Sequence, residues 1–234
     1  MICLSLGENC MPDMVIQRYG IKSYSTPFSF SRCNIFYSYQ LFQTNFKNLI
    51  NKEFLEKDNN CQFPQFYRNK KIFNTPEDGL FEKSCSNGFE FTHHNVVDKK
   101  NDRESFIRKI NRLIDLKNSN DAVVFFYHHR YLYNSKIDKI IEYSNELINC
   151  FKYKNKYIVI LEQIIVDSNI KRNIFYKRFG NTIIFFFLTT KEWKGKDKNI
   201  LFAKNDEDLI QKMMFILHDE LYDIDFPLCF PSYD

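Results

Sequence analysis

The stretch Ile2-Cys3-Leu4-Ser5-Leu6-Gly7-Glu8-Asn9-Cys10, running on into Met11-Pro12-Asp13, decides the fold. Residues 2–6 are a short, largely apolar run, the pattern of a buried strand. Gly7 permits a tight turn. Pro12 fits the first turn of a helix, where a missing N–H costs nothing, and Gly20 suits that helix's end. The reading is strand, turn, helix, with Cys10 at the helix mouth. The positive end of the helix dipole favours thiolate there, which is one way to make a nucleophile.

Working outward, the same alternation recurs. Residues 104–118 place Phe106, Ile110, Leu113 and Ile114 on one helical face. Residues 121–127 (DAVVFFY) read as a buried strand. Ser135 and Asp138 resemble a capping box, ahead of a stripe of Ile137, Ile140, Ile141, Ser144 and Ile148. Residues 157–161 (YIVIL), 182–188 (TIIFFFL) and 200–203 read as further strands. A last helix begins near Asn205, with Asp206, Glu207 and Asp208 at its positive end and a stripe of Leu209, Met213, Ile216 and Leu217.

Continuous apolar strands alternating with amphipathic helices predict an α/β fold: a mostly parallel sheet with helices on both faces, in three layers. Residues 1–234 are expected to form a single α/β domain. Residues 30–100 are less regular and read as an insertion or cap after the first βα unit, partly helical near 35–58. Open parallel sheets bind ligands at the carboxyl ends of their strands. Those ends carry Gly7-Glu8-Asn9-Cys10, His128-His129-Arg130, Glu162-Gln163 and Thr189-Thr190.

Composition narrows the function. Net charge is +4, from 33 basic and 29 acidic residues, which argues against a dedicated nucleic-acid binder. The short basic clusters at 68–71 and 194–198 read as solvated loops. Aromatic residues make up 17% of the chain, so a Phe-rich core is expected. The seven cysteines are scattered without a CxxC pair, which argues against a disulfide framework or a zinc ribbon. The first residues lack the pattern of a signal peptide, and no run is long and apolar enough to span a bilayer. A reduced, cytoplasmic compartment is expected.

Histidine supplies the candidate bases. His93-His94 ends residues 88–92, read as a short alternating strand, with Asn95 and Asp98 near enough to orient an imidazole. His128-His129 closes the strand at 121–127, with one of the pair facing a cleft. His218, at the end of the last helix, complements the dipole. A Cys–His pair would give acyl transfer or hydrolysis. The N–H groups around residues 9–11 would hold an oxyanion. Glu8 would oppose thiolate formation if its carboxylate faced the sulfur. No GxGxxG, P-loop, GxSxG or HExxH pattern occurs, and no metal or obligate cofactor is expected.

Ser5-Leu6-Gly7-Glu8-Asn9-Cys10, then Ser25-Thr26-Pro27-Phe28-Ser29-Phe30 and Phe89-Glu90-Phe91-Thr92-His93-His94, resembles a family described as papain-like cysteine peptidases. Its members look like SLGxxC, a short helix, a Ser-x-Pro-Phe-Asp-Trp element and a later strand with a terminal histidine. This chain departs at Ser29 and Phe30, where Asp and Trp are usual. The resemblance implies Cys10 as nucleophile and His93 or His94 as base. A cysteine after the first strand of a parallel sheet is also similar to the nucleophile position of SGNH-type esterases, although the Asp-x-x-His of those enzymes is absent ahead of His218. A cysteine version of that layout is similar to a capsular-polysaccharide enzyme family that handles acyl groups and coenzyme A. Gly7, Glu8, Asn9, Ser25, His128, His129 and Arg130 are the expected substrate-binding residues. The substrate class is a small molecule, glycan or peptide. Two other readings stand beside the acyl hydrolase or acyltransferase. One is a non-catalytic module binding a sugar or nucleotide. The other is a sugar- or nucleotide-processing enzyme using His128 and Arg130.

Overall fold

The computed structural model describes residues 1–57, 67–130, 136–193 and 203–232. In chain order its elements are β1 (Ile2–Ser5), α1 (Met11–Arg18), α2 (Ile35–Gln43), β2 (Leu55–Lys57), β3 (Tyr67–Asn69), β4 (Phe89–Glu90), α3 (Lys100–Asn118), β5 (Val123–His129), α4 (Ile137–Asn149), β6 (Lys156–Ile165), β7 (Asn173–Phe179), β8 (Thr182–Thr189) and α5 (Glu207–Glu220).

The main sheet runs β1-β5-β6-β8-β7. The first four of these strands are parallel, and β7 pairs antiparallel with β8 at the edge. Alternating side chains divide the core in two. Leu4, Phe125, Tyr127, Ile158, Ile160 and Ile184 pack on one face with buried residues of α2, α3 and α4. Cys3, Val124, Phe126, Val159, Leu161 and Ile183 pack on the other with those of α1 and α5. All seven residues of β5 are buried. A strand covered on both faces must be apolar throughout, which is why its sequence reads as a continuous run. The expected mostly parallel, three-layered α/β fold is therefore the one observed.

Strand β7 is absent from the sequence reading. Six of its seven residues are exposed, so its apolar residues mark no buried face. Only the hairpin with β8, turning at Gly180-Asn181, defines it. The helix α4 starts with Lys136 as its N-cap and without a side-chain cap bond. Ser135, the basic cluster at 194–198 and most of the strand expected at 200–203 lie outside the described residues.

Residues 30–100 contribute α2 and a small antiparallel sheet, β2-β3-β4. Asn34 caps α2, its Oδ1 accepting from the Tyr37 N–H at 2.8 Å. Rings carry this region onto the main sheet. Phe28 meets Phe42 and Phe89, and Phe42 lies 6.0 Å from Phe125 of β5. The basic cluster 68–71 is not a solvated loop throughout. Arg68 is fully buried, paired with Glu90, and donates to the carbonyls of Ser84, Asn87 and Gly88. A buried guanidinium needs such partners, and a short basic run does not reveal them. Gly88 sits at φ +80°, where a Cβ would lie 2.1 Å from the Asn69 carbonyl oxygen. No described helix is long and apolar enough to cross a membrane.

Candidate active site

The turn after β1 builds the site. The Leu6 N–H donates to the Phe126 carbonyl at 2.9 Å, continuing the pairing with β5. Gly7 then turns the chain at φ +84°, with space for a Cβ closed to 3.3 Å by the Cys33 carbonyl oxygen. Asn9 closes an Asx turn, its Oδ1 accepting from the Met11 N–H at 3.0 Å. Its Nδ2 lies 3.0 Å from His128 Nδ1. Cys10 is the N-cap of α1, and its carbonyl accepts from the Met14 N–H at 3.1 Å. Gly20 follows the Tyr19 C-cap and closes the helix as the sequence suggests.

The helix mouth does not yield a resting thiolate. Burial raises the Cys10 thiol, and the charge of Asp13 raises it further. Its own N–H and Arg32 oppose the shift without reversing it. Desolvation here outweighs the dipole. Glu8 is not the opposing carboxylate, because it faces away from the sulfur, toward His129. Asp13 takes that part, three residues along the helix. It is fully buried, accepting from Ser5 Oγ at 3.0 Å and from Lys22 Nζ at 2.6 Å. The Met11 N–H is engaged by Asn9, and Cys10's own N–H lies beside its sulfur.

A polar chain runs from this helix toward His93. Lys22 Nζ also sits 5.5 Å above the Phe30 ring, and the His93 ring meets Phe30 edge-on at 5.6 Å. Ser29 Oγ accepts from the Thr26 N–H at 2.9 Å and lies 3.4 Å from Ser5 Oγ. The strand expected through residue 92 ends at Glu90, so His93 and His94 follow it in irregular chain. Strand alternation therefore does not divide that pair. Asn95 and Asp98 bond each other, and Asp98 also accepts from Tyr67. His94 lies 3.3 Å from Lys109 Nζ. Among the described residues no histidine hydrogen-bonds the Cys10 thiol.

The histidines differ sharply as bases. Burial alone lowers His93. Burial and then the Lys109 charge take His94 down to about 4. Burial, followed by Arg130 and His129, takes His128 down to about 3. His218 makes a 2.7 Å hydrogen bond to the Phe226 carbonyl and serves the C-terminal end of α5.

Across the strand end lies a second polar group. Glu8, His129 and Glu162 are all buried. His129 Nδ1 is 3.7 Å from Glu8 Oε2, and His129 pairs in register with Glu162. Glu8 Oε2 also accepts from the Arg130 N–H at 2.9 Å. The Arg130 guanidinium pairs with Glu82 at 2.6 Å and with Glu192. Ser25 stands apart from both groups. With Gln17, Gly20 and Lys22 it lines a shallow groove of about 330 Å³ toward the far end of α1. Asp13 and Lys22 are absent from the sequence-derived site, and Glu162 is named there only as a strand-end residue. The i, i+3 spacing of Cys10 and Asp13 is the signal that could have found Asp13.

Fold and site together define a three-layered α/β protein with a cysteine at the carboxyl edge of a parallel sheet. The chain belongs to the family described as "Putative papain-like cysteine peptidase (DUF1796)", which matches residues 1–159. That span holds β1 to β5, the cap region, Cys10, His93, His94 and His128-His129-Arg130, while Glu162 lies beyond it. No curated protein and no solved structure matches the chain.

Proposed function

We propose that the protein is a cysteine-dependent acyl hydrolase or acyltransferase, with Cys10 as nucleophile and His93 as proton acceptor. The observation that carries this reading is the position of Cys10. It is the N-cap residue of the helix after β1, with its N–H beside its own sulfur. A general base works best when its pKa lies near the working pH. His94 and His128, driven to about 4 and about 3, are too weak. His129 is held by Glu8 on the other side of the strand end. His93 is lowered by burial alone and faces the Phe30–Lys22–Asp13 chain behind Cys10.

Because burial keeps the thiol protonated, deprotonation accompanies attack. Cys10 Sγ bonds to the substrate carbonyl carbon while its proton passes to His93. The Cys10 N–H steadies the oxyanion. The carbon–leaving-group bond breaks, and His93 returns the proton to the departing atom. Water or an acceptor hydroxyl or amine then attacks the thioester, which frees the thiol. Asn9 fixes the turn and His128, and Ser25 lies on the groove side of the same helix. The acyl donor is a small molecule, glycan or peptide, and coenzyme A is a thioester donor of the right chemistry.

Incubation with activated esters and thioesters, followed by intact-protein mass spectrometry, tests the reading. Wild type should retain an acyl group on Cys10 during turnover, and Cys10→Ala should lose both adduct and turnover. His93→Ala should keep the fold and lose about 10²–10⁴ in rate. Turnover that survives Cys10→Ala sinks Cys10 as the nucleophile. A wild type with neither adduct nor turnover would leave the second reading, a strand-end binding site without chemistry, which the raised thiol and the serine at position 29 favour.

A further inference from the structure

The buried row Glu8–His129–Glu162 has no part in the proposed chemistry and is poorly satisfied. Among the described residues both Glu162 carboxylate oxygens, Glu8 Oε1 and His129 Nε2 find no hydrogen-bond partner, and His129 Nδ1 has only Glu8 Oε2 at 3.7 Å. Buried polar groups are seldom left this way, because each costs its full desolvation penalty. Three such residues side by side at one strand end call for a physical account. Their mutual charge supplies it. An imidazolium beside the Glu8 carboxylate is held by Coulomb attraction even at 3.7 Å, while Glu162 keeps its proton. A neutral imidazole leaves two carboxylates in a dry site with nothing between them.

What this row holds in place is also defined. Glu8 accepts the Arg130 N–H at 2.9 Å, so the end of β5 is fixed to the turn after β1. One segment of the cap then rests on the row at two points and on Arg130 beside it at a third. Phe81 meets the His129 ring edge-on at 5.8 Å, Glu82 pairs with Arg130 at 2.6 Å, and Cys85 Sγ donates to the Glu8 carbonyl at 3.6 Å.

We propose that Glu8, His129 and Glu162 form a proton-held latch that fastens the 81–85 segment of the cap to the carboxyl edge of the sheet and releases it as pH rises. Among the described residues the groups facing the row from its surroundings are Arg130 and His128 on β5 and at its end, Tyr127 on the same strand, Cys33 ahead of α2, Glu82 and Cys85 on the cap, and Glu192 beyond β8, which reaches it through Arg130. Burial opposes the charge on His129, but Glu8, then Glu162 and Glu82, raise it above 6.5 all the same. Burial takes Glu162 up to about 7, with His129 lowering it and Glu8 raising it. Both groups bind a proton more tightly in the folded state than in the unfolded chain. Their contribution is therefore complete at mildly acidic pH. It fades above the ordinary carboxylate range for Glu162, and above 6.5 through the folded value for His129. Both act in the same direction, so the latch is closed in mild acid and opens toward alkaline pH.

Hydrogen exchange of the Cys85 and Ser86 amides reads the latch directly, because both are bonded to the Glu82 carbonyl in the turn that rests on it. After correction for intrinsic base catalysis, their protection should fall at least about tenfold between roughly pH 6 and 8.5, a change of about 1.4 kcal/mol. Glu162→Gln keeps the shape and removes one of the two titrating groups, so the pH dependence of protection in that variant should shrink to the part that His129 supplies beside Glu8. The His129 ring should titrate above 6.5 in wild type by NMR. Flat protection in wild type, an undiminished pH dependence in Glu162→Gln, or a His129 that titrates below 6.5 would each overturn the latch.

Discussion

His128 and His129 are neighbours in β5, both buried, yet their protonation is pushed in opposite directions. His128 points to the α1 and α5 side. It meets the neutral Asn9 amide at 3.0 Å and the Trp193 ring at 5.8 Å, and burial drives it to about 3. His129 points to the other side, between Glu8 and Glu162, and is raised. Depth in the protein is the same for both, so depth does not set the charge. The partner does, and the partner is chosen by the turn at residues 7–10, which sends Glu8 one way and Asn9 the other.

The largest effect should come from removing the partner on the charged side. Glu8→Ala leaves His129 beside Glu162 alone and frees the Arg130 N–H. It should cost about 3–5 kcal/mol, the usual penalty for breaking a buried pair. Denaturant titration gives the loss, and NMR should show His129 moving down toward the behaviour of His128. Unchanged stability would mean that Glu8 does not hold His129.

The neutral side makes the opposite pH prediction. A folded value depressed to about 3 contributes stability that is present above 6.5 and is lost as pH falls toward the folded value. Between pH 7 and 5 this amounts to roughly 2 kcal/mol. His128→Gln should flatten that part of the acid slope in denaturant midpoints. A variant with the wild-type slope would remove His128 as its source.

The smallest effect concerns the thiol. Asp13→Asn keeps the Ser5 contact and removes the charge that raises Cys10. Alkylation of Cys10 at fixed neutral pH should quicken several-fold, at a stability cost of about 1–3 kcal/mol. In wild type, alkylation should rise only above the ordinary thiol range. Rapid wild-type alkylation in mild acid would contradict the buried, protonated thiol.

Much of the architecture was legible. DAVVFFY and YIVIL are continuous apolar runs because a parallel strand is covered on both faces, and the helices between them carry one-sided stripes. The strand–turn–helix reading around Gly7 and Cys10 holds for a local reason. A glycine at φ +84° and a proline in the first helical turn are satisfied within a few residues. The exposed β7, the buried Arg68 and the early end of β4 were not legible, since each depends on what a distant segment supplies.

The sequence by itself determined the sheet, its helices and the placement of Cys10 at the carboxyl edge, because hydrophobic periodicity and turn chemistry act over short distances. Only the tertiary structure decided which charges meet. Asp13 rather than Glu8 faces the thiol; Glu8 and Glu162 enclose His129, and Phe30 meets His93, through contacts between segments far apart in the chain. Electrostatic energies depend on distance and burial in space, and neither is written in the order of the residues.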